Sequence, residues 1–312
     1  MAINTVLGPI EAPELGMTLV HEHVHTRNPG LRESYPSLFD RKAAMEQAVR
    51  RLKMGYDAGV RTVIEQTTVD AGRDVEFMAE ASRLSGVQIV SSTGTYLTIP
   101  SYLVNHGAQV AADLLIRDFY EGVGDTGIRV GNIKCAIGEE LTRGSETSLR
   151  LAAKLSLRTG LPVMVHTEAH ARSGELACDV FEDEGADPSR VIIGHCGGAP
   201  DLDYLRGIIG RGFPIALDQF GITSRMPVEE GVEIATALAR EGLADKLTFS
   251  NDHPCWSEWL AEDRYDSLGP DWRLDTIPTK VVPALLENGV SSEDIEKILV
   301  ENPARILDTA SA

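Results

Sequence analysis

Residues 16–24 read Gly16-Met17-Thr18-Leu19-Val20-His21-Glu22-His23-Val24. The apolar, β-prone run ahead of the histidines predicts a strand, and positions i and i+2 of a strand share a face. On a helix the same two residues would point about 200° apart. His21 and His23 therefore reach one side together, which makes them half of the ligand set of a zinc-type site. An open doubly wound sheet would carry a glycine-rich phosphate loop after its first strand. Here His-Glu-His occupies that place.

Outward from this stretch, β-prone runs recur at 60–68, 87–92, 128–136, 162–167, 191–196, 213–218 and 247–252. Helical patterns at 41–58, 73–84, 104–122, 146–158, 173–184, 202–210 and 228–241 separate them, and closing helices follow at 279–287 and 292–301. Eight strands alternating with helices over 312 residues predict parallel crossovers and one α/β domain, a single (β/α)8 TIM barrel. No linker, repeat or low-complexity segment divides residues 1–312.

Hydrophobic residues make up 43% of the chain and charged residues 24%, with a net charge of −18. That composition is globular, and the acidic surface argues against nucleic acid and anionic membrane as partners. No stretch approaches the ~18 apolar residues of a spanning helix. Met1–Thr5 lacks the basic start of a signal peptide, so a cytoplasmic protein is expected. Cys135, Cys178, Cys196 and Cys255 show no CxxC spacing and read as reduced thiols.

Lys134, His166, His195 and Asp252 fall at the carboxyl ends of the fourth, fifth, sixth and eighth runs, where barrel enzymes place their chemistry. Singly, each has an ordinary explanation: a core histidine, a snorkelling lysine, a capping aspartate. With His21 and His23 they form six groups facing one mouth. An ammonium cannot ligate a cation, but Ile133 and Cys135-Ala136 around Lys134 predict a desolvated, neutral amine. Such an amine can add carbon dioxide and become a carbamate able to bridge two metals.

In this order His21-Glu22-His23, Lys134, His166, His195 and Asp252 resemble the phosphotriesterase family of the amidohydrolase superfamily, and the likeness runs over nearly the whole chain. Supporting stretches are Gly72-Arg73-Asp74-Val75, Asp125–Arg129, Asp187–Val191 and Glu301–Arg305. The resemblance implies two divalent ions, with zinc first and cobalt, manganese or iron as alternatives. It implies one ion on His21, His23 and Asp252, the other on His166 and His195, and Lys134, modified to N6-carboxylysine, between them. It further implies a homodimeric hydrolase in which a metal-bridging hydroxide attacks a small-molecule lactone, Asp252 accepts its proton and Tyr96 orients the carbonyl. For Tyr96 the alternative is rim packing. A phosphotriester or phosphonate ester hydrolase is the second reading, and a non-catalytic ligand-binding barrel the third.

Two positions depart from the family pattern. Gly197-Gly198 stand where family phosphotriesterases carry a relay aspartate, and Gln219 stands after Asp218 where histidine or arginine is usual. Gln219 bonds substrate but carries no charge. The long loop after the eighth strand, with His253, Pro254, Cys255, Trp256, Trp259 and Trp272, is expected to shape the pocket, Cys255 and Trp256 touching an apolar substrate arm. Arg225 is the nearest cation, and His25, His106 and His170 read as surface or loop residues.

Overall fold

A computed structural model describes residues 2–261 and 264–308; the domain limits at 1 and 312 lie outside them. The chain opens with a short antiparallel hairpin, β1 (Ile3–Thr5) and β2 (Gly8–Ile10), which the sequence reading missed. Eight parallel strands follow in order: β3 (Thr18–Glu22), β4 (Thr62–Glu65), β5 (Gln88–Gly94), β6 (Asn132–Ala136), β7 (Val163–His166), β8 (Val191–Ile193), β9 (Ile215–Leu217) and β10 (Leu247–Phe249). They form the expected (β/α)8 barrel. The ring closes beyond the regular strands: the Asp252 amide donates to the His21 carbonyl at 3.0 Å, His23 to His253 at 3.2 Å and Cys255 to His23 at 2.6 Å.

Strand alternation sorts the core into two layers. Val20, Ile64, Val90, Met164, Ile192 and Ala216 fill the barrel axis, plugged at the amino end by Ile3, Leu15, Ile306 and Leu307. Their neighbours in sequence, Leu19, Val63, Ile89, Ile193, Ile215 and Leu217, face the helices. Each buried side chain of this size stabilises the fold by roughly 1.5–3 kcal/mol. The helices run close to their expected ranges, from Arg41–Asp57 to Val228–Arg240. The exception is the span 104–122, where the chain forms Ser101–Leu115 and Arg117–Tyr120 with Gly107 non-helical at φ 85°. Among the described residues no helix is long and apolar enough to cross a membrane.

Candidate metal centre

β3 departs from simple alternation at its end. Val20 lies on the barrel axis, so the next residue should face the helices. The register of β3 on β4 shifts between Leu19 and Glu22, and such an irregularity re-aims side chains. His21 turns inward, its Nε2 standing 3.0 Å from Lys134 Nζ and 3.5 Å from Asp252 Oδ1. His23 Nε2 is 3.3 Å from the same oxygen. His195 Nε2 lies 3.8 Å from Asp252 Oδ2, and its ring meets those of His21 and His166 at 4.8 and 4.5 Å. All six expected groups thus converge. Lys134 sits mid-strand in β6 rather than at its end, paired with Gly94 of β5. Gly94 has φ 109°, and a Cβ there would collide with the Lys134 carbonyl oxygen, so only glycine lets β5 pass so close.

The sequence reading gave Asp218 no role. Its Oδ2 pairs with His21 Nδ1 at 2.7 Å, while Oδ1 pairs with His195 Nδ1 at 3.0 Å and accepts the His195 amide at 2.7 Å. One buried carboxylate therefore orients two imidazoles and leaves both Nε2 atoms facing inward. Although Asp218, His21 and His195 are close enough to share an ion, both Asp218 oxygens are already engaged, so it acts from behind the imidazoles. His23 is oriented by Thr67, whose hydroxyl pairs with Nδ1 at 2.8 Å. Buried Glu65 in turn holds the amides of Thr67 and Val24 at 3.0 and 3.1 Å. His195 and Asp252 both adopt the left-handed region, at φ 58° and 54°, as strained functional residues often do.

Electrostatics favour cation ligation. Burial, then the Lys134 charge, pushes His21 down to about 3. Burial and His195 push His166 down to about 4, so both imidazoles are neutral near pH 7 and their lone pairs are available. Burial opposes ionisation of Asp252, but the facing His21 and His195 hold it well below the usual carboxylate range. Burial draws Lys134 down to about 8 against the pull of Asp252 and Asp218. Lys134 is 1% exposed, and its one hydrogen-bonding partner is His21 Nε2. No carboxylate pairs with it among the described residues. His166 Nε2, also buried, has no hydrogen-bond partner. Three inward imidazoles, two of them with tautomers fixed by Asp218, an aspartate, an orphaned imidazole nitrogen and a buried amine without a carboxylate fit a site for divalent ions.

Around the mouth, the Tyr96 ring stands edge-on to His166 at 5.1 Å and stacks on Trp259 at 6.2 Å. Asp70 accepts the Tyr96 amide at 2.9 and 3.0 Å, which anchors the loop. Gln219 Nε2 donates to Asp252 Oδ2 at 3.3 Å. A Cβ at Gly198 would make ordinary contacts with Ala169 and Gln219, each 3.8 Å away, whereas one at Gly197 would collide with the Met226 sulfur. Arg225 is paired with Glu168 at 2.8 Å, and Glu168 lies 3.6 Å from His166 Nε2. Glu168 carried no signal in the sequence.

Three expectations change. Cys255 is fully buried, so its thiol packs in the core rather than at the mouth. Trp256 instead lines a cavity of about 380 Å³ with Leu31, Leu38, Phe39 and Leu260. His25 is no surface residue: it is 0% exposed, its ring stacked on Phe39 at 5.2 Å. A larger hollow, about 700 Å³, lies near the β1–β2 hairpin and lacks any of the six groups.

Comparison with known proteins settles the family. A profile of the phosphotriesterase family matches residues 1–307. The chain belongs to the phosphotriesterase family. It is 36% identical over 317 residues to a "Phosphotriesterase homology protein" of Mycobacterium tuberculosis, covering 98% of this chain and 97% of that one. It is 33% identical over 301 residues to an "Aryldialkylphosphatase" of Saccharolobus solfataricus, covering 95% and 96%. A solved phosphotriesterase structure from Mycobacterium tuberculosis superposes with a TM-score of 0.94 at 35% identity, covering 99% of each chain. This phosphotriesterase-family barrel is a metal-dependent hydrolase, and the non-catalytic reading falls.

The buried imidazoles make the metal-stripped protein acid-sensitive. Burial pushes His25 and His253 down to about 3, joining His21 and His166. These four histidines stay neutral in the fold below the ordinary 6.5, whereas the unfolded chain protonates them. From pH 6.5 to about 4.5 the unfolded state therefore binds more protons, and stability falls as pH falls. Glu22, raised to about 8 by burial, works oppositely, its contribution lost as pH rises through 8. Glu65 and Asp70, also raised by burial, act in the same sense as Glu22. Between pH 6.5 and 4.5 these three carboxyls offset most of the four imidazoles, since every such group carries up to about 1.4 kcal/mol per pH unit; below about 4.5 the unfolded chain protonates its carboxyls too, and the imidazoles act unopposed. Chelator-treated protein should show a lower denaturation midpoint at pH 4 than at pH 5; an equal or higher midpoint would contradict the burial argument.

Proposed function

We propose that this hydrolase holds two divalent ions, one on His21, His23 and Asp252 and one on His166 and His195, with carboxylated Lys134 between them, and that it opens lactones. The observation that carries the reading is the state of Lys134: a buried amine without a carboxylate partner. Burying an unpaired ammonium costs several kcal/mol, which the neutral amine avoids. The amine nitrogen adds to the carbon of carbon dioxide, a nitrogen–carbon bond forms, and one proton leaves to solvent. The product is an anion with two oxygens in the middle of the imidazole ring. Zinc is the first ion to test.

Two ions bound there supply an activated water at neutral pH and Lewis acidity toward the substrate oxygen. The protein does the rest. Asp252, partly open to the mouth with a side chain 20% exposed, takes the proton of the attacking water. Gln219 steadies its second oxygen. As the water oxygen bonds to the carbonyl carbon and the ring carbon–oxygen bond breaks, Asp252 returns the proton to the leaving alkoxide. The product is the open hydroxy acid. The Tyr96 hydroxyl, above His166, donates to the carbonyl and orients it.

Lactones are favoured over phosphotriesters by Gly198 and Gln219. An aryl leaving group served by a carboxylate relay has no counterpart here, whereas ring opening keeps the leaving oxygen next to Asp252. The similarity to an aryldialkylphosphatase supports the phosphotriester as second substrate class. Hydrolysis of aliphatic lactones, aryl esters and phosphotriesters by metal-reconstituted enzyme tests the choice, and kcat/KM highest for phosphotriesters would reverse it. Tyr96→Phe should lower lactone kcat/KM by roughly tenfold, the loss of one hydrogen bond to a charged transition state (about 1.4 kcal/mol). An unchanged value would leave Tyr96 as a packing residue.

A further inference from the structure

Glu22 sits between the two histidines of β3, yet its carboxylate reaches sideways into the chain segment that follows β10. Oε1 accepts the Ser250 hydroxyl at 2.7 Å and the Asn251 amide at 2.8 Å, and Oε2 accepts the His253 amide at 2.8 Å. The Ser250 oxygen also accepts the His21 amide at 2.8 Å. Glu22 is 1% exposed, and no cation pairs with it among the described residues. A buried carboxyl satisfied only by dipoles carries a desolvation cost, and Glu22, like Glu65 beside it, gives its oxygens to main-chain amides of the neighbouring segment. The amides it captures flank Asp252 on either side, and Asp252 has φ 54°, a conformation that costs of order 1–3 kcal/mol unless its surroundings enforce it.

We propose that Glu22 is a positioning residue for Asp252, fixing the strained turn that brings this carboxylate to His21 and His23. The proposal rests on the two-ion reading above and narrows it. Glu22 governs the ion shared by His21, His23 and Asp252, and leaves that of His166 and His195 alone. Those two imidazoles hang from β7 and the end of β8, which Glu22 does not touch. In Glu22→Gln the amide nitrogen must face one of the three donors, so one captured amide is released and the turn loosens.

The test is calorimetric titration of chelator-treated protein with zinc in bicarbonate buffer, comparing the unsubstituted chain, Glu22→Gln, and Leu285→Ala. Leu285 is fully buried in the outer core, so its truncation lowers stability without touching the centre. The unsubstituted chain should take up two ions. Glu22→Gln should keep one at unchanged affinity and bind the other roughly 10- to 100-fold more weakly, the usual effect of removing an outer hydrogen-bond partner. Leu285→Ala should keep both sites, and two unchanged sites or two sites weakened together in Glu22→Gln would overturn the proposal and leave Glu22 as a seam residue. Fewer than two ions in the unsubstituted chain would overturn the two-ion reading itself, and this proposal with it. If Glu22→Gln does not fold, Glu22→Asp decides: it keeps the charge but draws the carboxyl back from the Asn251 and His253 amides, so selective weakening of one ion supports the proposal and retention of both overturns it.

Discussion

Lys134→Ala should lower turnover by roughly three orders of magnitude or more, about 4 kcal/mol of transition-state stabilisation. The side chain is among the largest fully buried ones in the protein, and on the two-ion reading nothing else in the ring of ligands could replace the charge of a carbamate there. As ligands His21, His166 and His195 would each be neutral donors, and Asp252 alone would leave two divalent ions largely uncompensated. The second ion should therefore be lost with the first bridge. Truncation also leaves a cavity next to His21, large enough for a small carboxylic acid. Acetate or propionate, added with metal, should restore part of the activity by placing two oxygens where the carbamate stood, while a neutral amide of the same size should not. Stability should move far less than activity, because removing an unpaired buried polar group relieves desolvation as it forfeits packing. Activity assays with and without carboxylate, alongside metal content, check this. A variant that keeps wild-type turnover with one ion or none would mean that Lys134 is a core residue and no more.

The parts of this centre that could be read from sequence follow from periodicity. Strand alternation makes Ile133, Lys134 and Cys135 out, in and out, and the structure places them so. The same rule applied to β3 gives the right outcome for an incomplete reason. His21 and His23 do share a side, but Val20 faces inward too, and only the register shift near Glu22 permits both. A bulge leaves no trace in hydrophobic patterning. His195 and Asp252 lie just past their strands in left-handed turns, which run counter to residue preference and are held by tertiary contacts. Asp218, Thr67 and Glu65 were illegible for another cause. Groups that bind the far side of a ligand are set by three-dimensional proximity across separations such as the 197 residues between His21 and Asp218. His25 escaped because two consecutive polar-looking loop residues give no hint that Phe39 and Phe77 will enclose one of them.

Asp218→Asn should weaken metal binding by one to two orders of magnitude, although Asp218 touches neither substrate nor, on this reading, either ion. Its two oxygens accept from two imidazole nitrogens and the His195 main-chain amide, an arrangement that needs acceptor capacity on both sides. Asparagine has one carbonyl and one donor. If the carbonyl stays with His195, the amide faces His21 Nδ1, and His21 must move its proton to Nε2, the atom that points at Lys134 and Asp252. If the amide turns the other way, it meets the His195 main-chain amide as well as Nδ1, which is worse. Asparagine should therefore satisfy His195 and switch His21 to the tautomer that cannot ligate. Affinity for the ion on His21 should drop roughly 10- to 100-fold, the range for losing one outer partner. At limiting metal kcat/KM should fall with occupancy, while excess zinc recovers much of it. Asp218→Ala should be harder to rescue, because it frees both rings. Burial opposes ionisation of Asp218, but His195 and His21 hold its carboxyl far below the usual range, so in the native protein it stays charged through every working pH and the effect should be independent of pH between 6 and 9. Zinc titrations of the two variants at pH 6 and pH 9 check both points. A wild-type affinity in Asp218→Asn would show that the two imidazoles keep their orientation without the carboxylate, and would move the control of His21 to Lys134.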